Sequence, residues 1–85
     1  MKKVYLLQDS KAGYYLSPMI FRSHGEAERM LQTALKDPKS SIYNSPADFN
    51  LFYVGEFDED TGNFVLHEKH SIANAADLLS STNNS

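Results

Sequence analysis

The sequence predicts an α+β domain: an antiparallel sheet of two β-hairpins with one main helix packed on it, in the order β-β-α-β-β. Three observations carry this reading. Two apolar ribbons are each folded at an aspartate–glycine corner, Asp9-Ser10-Lys11-Ala12-Gly13 and Asp58-Glu59-Asp60-Thr61-Gly62. Between the ribbons, Ser23 stands three residues before Glu26 and opens an apolar face with helical spacing. Asp37-Pro38 closes that face, because proline disfavours helical geometry in the residue before it.

Taking the elements in order, residues 3–8 (KVYLLQ) are β-branched and aliphatic and predict a strand. Residues 14–22 (YYLSPMIFR) predict its partner. Pro18 has no N–H to donate, so this strand should lie at an edge or break there. The four-residue loops SKAG and EDTG each need a left-handed last residue, which glycine adopts without a Cβ clash. The preceding aspartate can accept bonds from loop amides. This register sets Leu7 opposite Leu16 and Phe57 opposite Phe64, cross-strand pairs worth roughly 0.2–1 kcal/mol each.

Ala27, Met30, Leu31, Ala34 and Leu35 form one face of a helix over 23–36, and Lys36 would complement its C-terminal dipole. A helix this short is marginal alone and must dock on the sheet. Residues 37–49 (DPKSSIYNSPADF) predict a loop. Residues 50–57 are apolar on both faces and predict a central strand, with Gly55 opposite Leu66 at a bulge or close approach. Residues 63–67 predict the fourth strand. Residues 71–79 suit either a short helix, with Ile72, Ala75, Ala76 and Leu79 on one side, or a strand. The domain then covers 1–79, and 80–85 (SSTNNS) predict a disordered tail.

Composition bounds the function. Eighty-five residues make one domain, which buries roughly 60–65% of its surface. With no Cys there is no disulfide and no thiolate metal site. The only apolar run near the start is Val4 to Leu7, too short for a signal peptide or a membrane span, so a soluble intracellular protein is expected. Net charge is −3 but unevenly divided. Residues 1–45 hold seven Lys/Arg against four acids (+3), and 46–85 hold Lys69 against seven acids (−6). This predicts lysines toward one end of the sheet and carboxylates toward the other, as a basic binding face or as opposite faces that meet in self-assembly.

No catalytic constellation emerges. Asp58, Asp60 and Gly62 depart from an EF-hand, which needs Gly at position six and Glu at twelve. His67 and His70 are three apart on a strand, so they should face opposite sides. Asp58, Glu59 and Asp60 sit on a wet turn, where a carboxyl pKa is not raised for acid catalysis. There is no G-x-S-x-G motif and no Gly-rich phosphate loop. A non-enzyme without cofactor or metal is expected.

Nucleic-acid binding is the best non-catalytic candidate. Single-strand binders combine a basic groove with aromatic platforms. Here Lys2, Lys3, Lys11 and Arg22 lie on or beside the first hairpin with Tyr14 and Tyr15 interleaved, and these six are the candidate DNA-contacting residues. Aromatics are also enriched at interfaces, so Tyr5, Tyr15, Phe52 and Tyr53 could instead serve a homodimer.

Laid end to end, the motifs are DSKAGYYLSP, DPKS and SPADFNLFYVGEFDEDTGNF. Over about residues 1–68 this resembles the small nonstructural protein of gokushovirus-type microviruses, phages with single-stranded DNA. The matching positions are Asp9 to Ala12, Tyr15-Leu16, Pro18, Asp37-Pro38, Leu51-Phe52, Gly55 to Asp58 and Thr61 to Phe64. That family often has His-Pro-Glu-Asp before the third strand. Ser45-Pro46-Ala47-Asp48 stands here, so no role for that His or Glu carries over. The resemblance implies the host bacterial cytoplasm. It implies single-stranded or replicative-form DNA as partner, with a phage replication or capsid protein as another, and a part in genome replication or its switch to packaging. It assigns no catalytic residue. The alternative is a protein-interaction module acting through the acidic hairpin and residues 37–49.

Overall fold

Both aspartate–glycine corners form the predicted turn. Gly13 (φ 85°) and Gly62 (φ 77°) are left-handed. Each donates its amide to the aspartate carbonyl four residues back, Asp9 at 2.9 Å and Asp58 at 2.8 Å. The aspartate side chains accept second bonds, from the Ala12 amide to Asp9 Oδ1 (3.1 Å) and from the Asp60 amide to Asp58 Oδ1 (2.9 Å). DEDTG is therefore a hairpin turn.

The computed structural model describes the backbone of residues 1–83 and the side chains of residues 1–79. The strands are β1 (Lys2–Asp9), β2 (Tyr14–Tyr15), β3 (Met19–Phe21), β4 (Phe49–Asp58) and β5 (Asn63–Asn74). The helices are α1 (His24–Ala34), α2 (Ser41–Asn44) and α3 (Ala75–Asn83), with a 3-10 turn at Pro46–Asp48. One antiparallel sheet runs β2-β1-β4-β5, with β3 also paired to β1. The fold is α+β, as the sequence predicts. Pro18 divides the expected 14–22 strand, since it cannot donate to β1: β2 and β3 pair with the two ends of β1. Leu16 still bonds Leu7, amide to carbonyl, at 2.8 Å.

Ser23 caps α1, its Oγ accepting from the Glu26 amide at 3.1 Å, while Glu26 Oε1 accepts from the Arg22 amide at 3.2 Å. α1 ends two residues before the predicted boundary. Leu35 is its C-cap, and the Lys36 and Asp37 amides turn back onto Thr33 and Ala34. Lys36 thus lies beyond the last helical turn. Ala27, Leu31 and Leu35 press on Tyr5, Leu7, Phe49 and Leu51, and Ile42 and Ala75 complete the core. Burial, with smaller contributions from Tyr53 and the glutamates of α1, pushes the Tyr5 hydroxyl up to about 12. Its O–H lies 2.7 Å from His24 Nδ1.

Three expectations are corrected. Residues 37–49 are not loop throughout: Ser40 accepts from the Ile42 amide to cap α2, and Pro46 starts the 3-10 turn. β5 runs to Asn74 rather than ending at 67, because Leu51 pairs with Ala73 and Asn50 with Asn74. The 71–79 segment is therefore strand to Asn74 and helix from Ala75, with Asn74 Oδ1 accepting from the Ala76 amide at 2.9 Å. α3 extends past Ser80, where the sequence predicts a tail, and residues 84 and 85 of that tail lie outside those described. The third correction concerns charge. β1 runs antiparallel to β4, so Lys3 pairs with Glu56 and the N-terminal amine lies 3.9 Å from Glu59. Lysines at the start of β1 share one end of the sheet with the acidic turn.

Three irregularities bend the sheet along β4, one of them an extra residue, Ile72, between the Leu51–Ala73 and Phe52–Ser71 pairs. Val54 has no partner in β1, which steps from Val4–Gly55 to Tyr5–Tyr53. β5 inserts His67, Glu68 and Lys69 opposite that same Val54. Gly55 faces Leu66 as predicted, and a Cβ there would strike the Val65 carbonyl oxygen.

Candidate functional site

Alternation along β1 gives the sheet a covered and an open face. Tyr5 and Leu7 face the helices, and Val4 and Leu6 face away. On the open face Tyr15 pairs with Gln8, Phe52 with Leu6, and Ser71 with Phe52. Lys69, two residues before Ser71, falls on the same side. Its Nζ stands 5.0 Å from the Tyr15 ring centroid and 6.0 Å from that of Phe52. The two rings meet edge to face at 6.0 Å. Tyr15 is 41% exposed and Lys69 is exposed, so both rings lie under a solvated cation.

Beside this cluster runs a groove of about 560 Å³ lined by Val4, Leu6, Ile20, Val54, Phe64 and Leu66. Lys69 stands on its rim. At the far end of the groove Phe57 and Phe64 pack at 4.9 Å, with Lys2 opposite Phe57.

The six residues predicted from sequence do not form one patch. Lys2 is on the open face. Lys3 is on the covered side, its Nζ 5.6 Å from the Tyr53 ring. Lys11 is on the first turn, beyond the other end of β1, a strand roughly 25 Å long at its ordinary rise. Tyr14 pairs with Asp9 and faces away from Tyr15. Arg22 Nε lies 3.5 Å from Glu26 Oε2 at the start of α1. Of the six, Tyr15 joins an aromatic–cation cluster, and its partners Phe52 and Lys69 were not among them. Lys69 stands amid acids in the sequence. Its place opposite the first ribbon needs β5 to continue past 67, and the pairing of Phe52 with Ser71 supplies that.

On the covered side all three histidines gather at Tyr53. His24 and His67 approach its ring at 4.9 and 4.6 Å, and His67 and His70 lie 5.3 Å apart. The expectation that His67 and His70 face opposite sides is thus corrected: the insertion at 67–69 breaks the alternation. His67 Nδ1 donates to the Glu68 carbonyl at 2.7 Å. Among the described residues no three His, Asp or Glu side chains gather as a metal site. Burial, and secondarily Glu56, raise the Tyr53 hydroxyl above its ordinary value.

A second hollow, of about 340 Å³, lies where the first turn meets residues 41–49. Asp9, Lys11, Ser41, Asn44 and Asp48 line it. Ser10 fixes the two together, its amide and Oγ both donating to the Asp48 carbonyl at 2.9 Å. No helix among the described residues is long and apolar enough to cross a membrane.

Residues 2–78 match the sequence family described as Phage ORF5 protein. No curated protein and no solved structure matches the chain.

Proposed function

We propose that this chain, which belongs to the Phage ORF5 protein family, is a non-catalytic factor that binds single-stranded DNA of a small phage on the open face of its sheet. It would act on replicating genomes in the host cytoplasm. The observation that carries this is Lys69 set over the exposed ring of Tyr15 and the half-buried ring of Phe52. Bases stack on aromatic rings whatever their sequence, and a neighbouring ammonium meets the phosphates. Lys2 lies beside Phe57 and Phe64 across the groove and extends the track.

Fluorescence anisotropy with a labelled oligothymidine at low salt tests it. Each base stack contributes about 1–3 kcal/mol, so Tyr15→Ala should weaken binding roughly 5- to 150-fold. Lys69→Ala should also flatten the salt dependence by about 0.7 in log–log slope for one lost phosphate contact. Undetectable binding at low salt, or affinity indifferent to both substitutions, would rule the reading out. The hollow at the first turn favours a second reading, a protein-interaction module using residues 37–49 and the acidic hairpin. That reading predicts a phage or host protein retained at high salt, with no retention of DNA.

A further inference from the structure

We propose that β5 pairs with β5 of a second copy of this chain, antiparallel, about a two-fold axis through Val65. The inference stands without the DNA reading.

β5 ends the sheet, and among the described residues no strand pairs with its outer edge. Half of its backbone N–H and C=O groups point outward, a template for another strand. The edge is also apolar where it should not be. Phe64, Val65 and Leu66 are 54%, 61% and 66% exposed, on both sides of the strand. A solvated strand would alternate, and an exposed run of three apolar side chains signals a surface that becomes covered.

The sequence selects the second copy as the occupant and fixes the register. Directly opposed residues in an antiparallel pair share a face, so a two-fold axis must pass through a residue. With the axis at Val65, Phe64 meets Leu66 of the other copy twice, and Val65 meets itself. This stretch pairs with β4 without a bulge, from Asn63–Asp58 to Leu66–Gly55. Beyond it the insertion at 67–69 leaves the regular register. The antiparallel order sets the end that carries the acidic turn Glu59-Asp60 toward the end of the other copy that carries Lys69 and His70, so opposite charges lie at both ends. Neighbouring registers fail. An axis at Leu66 sets Phe64 against Glu68. An axis at His67 sets Val65 against Lys69 and Leu66 against Glu68. Axes at Glu68 or Lys69 fall within the insertion, where the strand has no regular register. The two-fold axis stands perpendicular to the sheet, so both open faces lie on one side. The two grooves then adjoin through Phe64 and Leu66.

The oligomeric state of the full chain, measured by sedimentation equilibrium from about 1 μM to about 1 mM, tests this. The wild type should show a monomer–dimer equilibrium. Val65→Lys sets two ammonium groups at the axis and should weaken association at least tenfold. Val65 is exposed, so unchanged far-ultraviolet circular dichroism should show the fold retained. Lys69→Glu, which adds a carboxylate beside the acidic turn of the other copy, should also weaken the dimer. Because the chain has no cysteine, Val65→Cys should give a disulfide-linked dimer on mild oxidation, whereas Lys11→Cys should not. A monomer throughout the range, or a dimer indifferent to Val65→Lys, would overturn the proposal.

Discussion

The first hairpin leaves its Asp9–Gly13 turn and pairs for two residues of β2 before Leu16-Ser17-Pro18 interrupts it, whereas the second leaves a turn of the same geometry and continues for twelve residues of β5. Both turns close with the same glycine-to-aspartate backbone bond and the same left-handed glycine, while the aspartate side chain accepts from the third amide on in the first turn and the second in the other. Turn chemistry is thus local, and the length of ribbon that follows is set by what each strand can donate and pack against. Pro18 withholds an amide and leaves that edge as two short strands, an ordinary protection against strange partners. β5 has no such break, and its outer edge carries Phe64, Val65 and Leu66 into solvent. One edge of the sheet is closed by sequence and the other is open.

The largest expected effect falls on the feature the first hairpin lacks. At Gly55→Ala the new Cβ meets the Val65 carbonyl oxygen and lies 2.9 Å from Leu66 Cα. Both obstacles are backbone, so β4 and β5 must part. The cost should be about 3 kcal/mol in urea unfolding. An unchanged midpoint would mean that the second ribbon is looser than its register. Smaller effects should follow at the turns themselves. Nothing lies within 4 Å of a Cβ at Gly13 or Gly62, so alanine there meets only the left-handed backbone penalty, about 1–2 kcal/mol. The two substitutions should cost the same despite the different ribbons. A much smaller cost at Gly62 would show that the outer hairpin unfolds apart from the core.

These same contrasts explain what could be read from the residues. The turns, the Ser23 cap, the Phe57–Phe64 pair and the Gly55–Leu66 approach depend on neighbours a few positions away, and the structure contains each. The continuation of β5 did not show, because Ile72, Ala75, Ala76 and Leu79 also suit a helix. Long-range pairing of Leu51 with Ala73 decided it, although Asn74 ahead of two alanines and Asp77 was a cap signal in plain view. Residues 40–48 likewise held Ser40 and Pro46, a cap and a first-turn proline, within what reads as loop. The charge layout needed the antiparallel order of β1 and β4, which composition does not contain. Lys69 and the histidine cluster needed the insertion at 67–69, where a side-chain period of two no longer holds.

The smallest prediction separates the geometry of the second turn from its charge. Hydrogen bonding from the Asp60 amide, helped by Thr61 and opposed by slight desolvation, holds the Asp58 carboxyl below its ordinary value. A depressed folded value means that the contribution is complete above the unfolded pKa and is lost as pH falls through the folded one. Asp58→Asn keeps an oxygen acceptor for the Asp60 amide but removes the charge. The wild type should therefore melt slightly above the variant near about pH 7, and the gap should close toward about pH 2. Because the turn is fully solvated the gap is small, so Asp60 amide exchange is the sharper readout: its protection should fall with acid in the wild type and stay level in the variant. A gap independent of pH would assign the turn to its backbone bonds and to Gly62 alone.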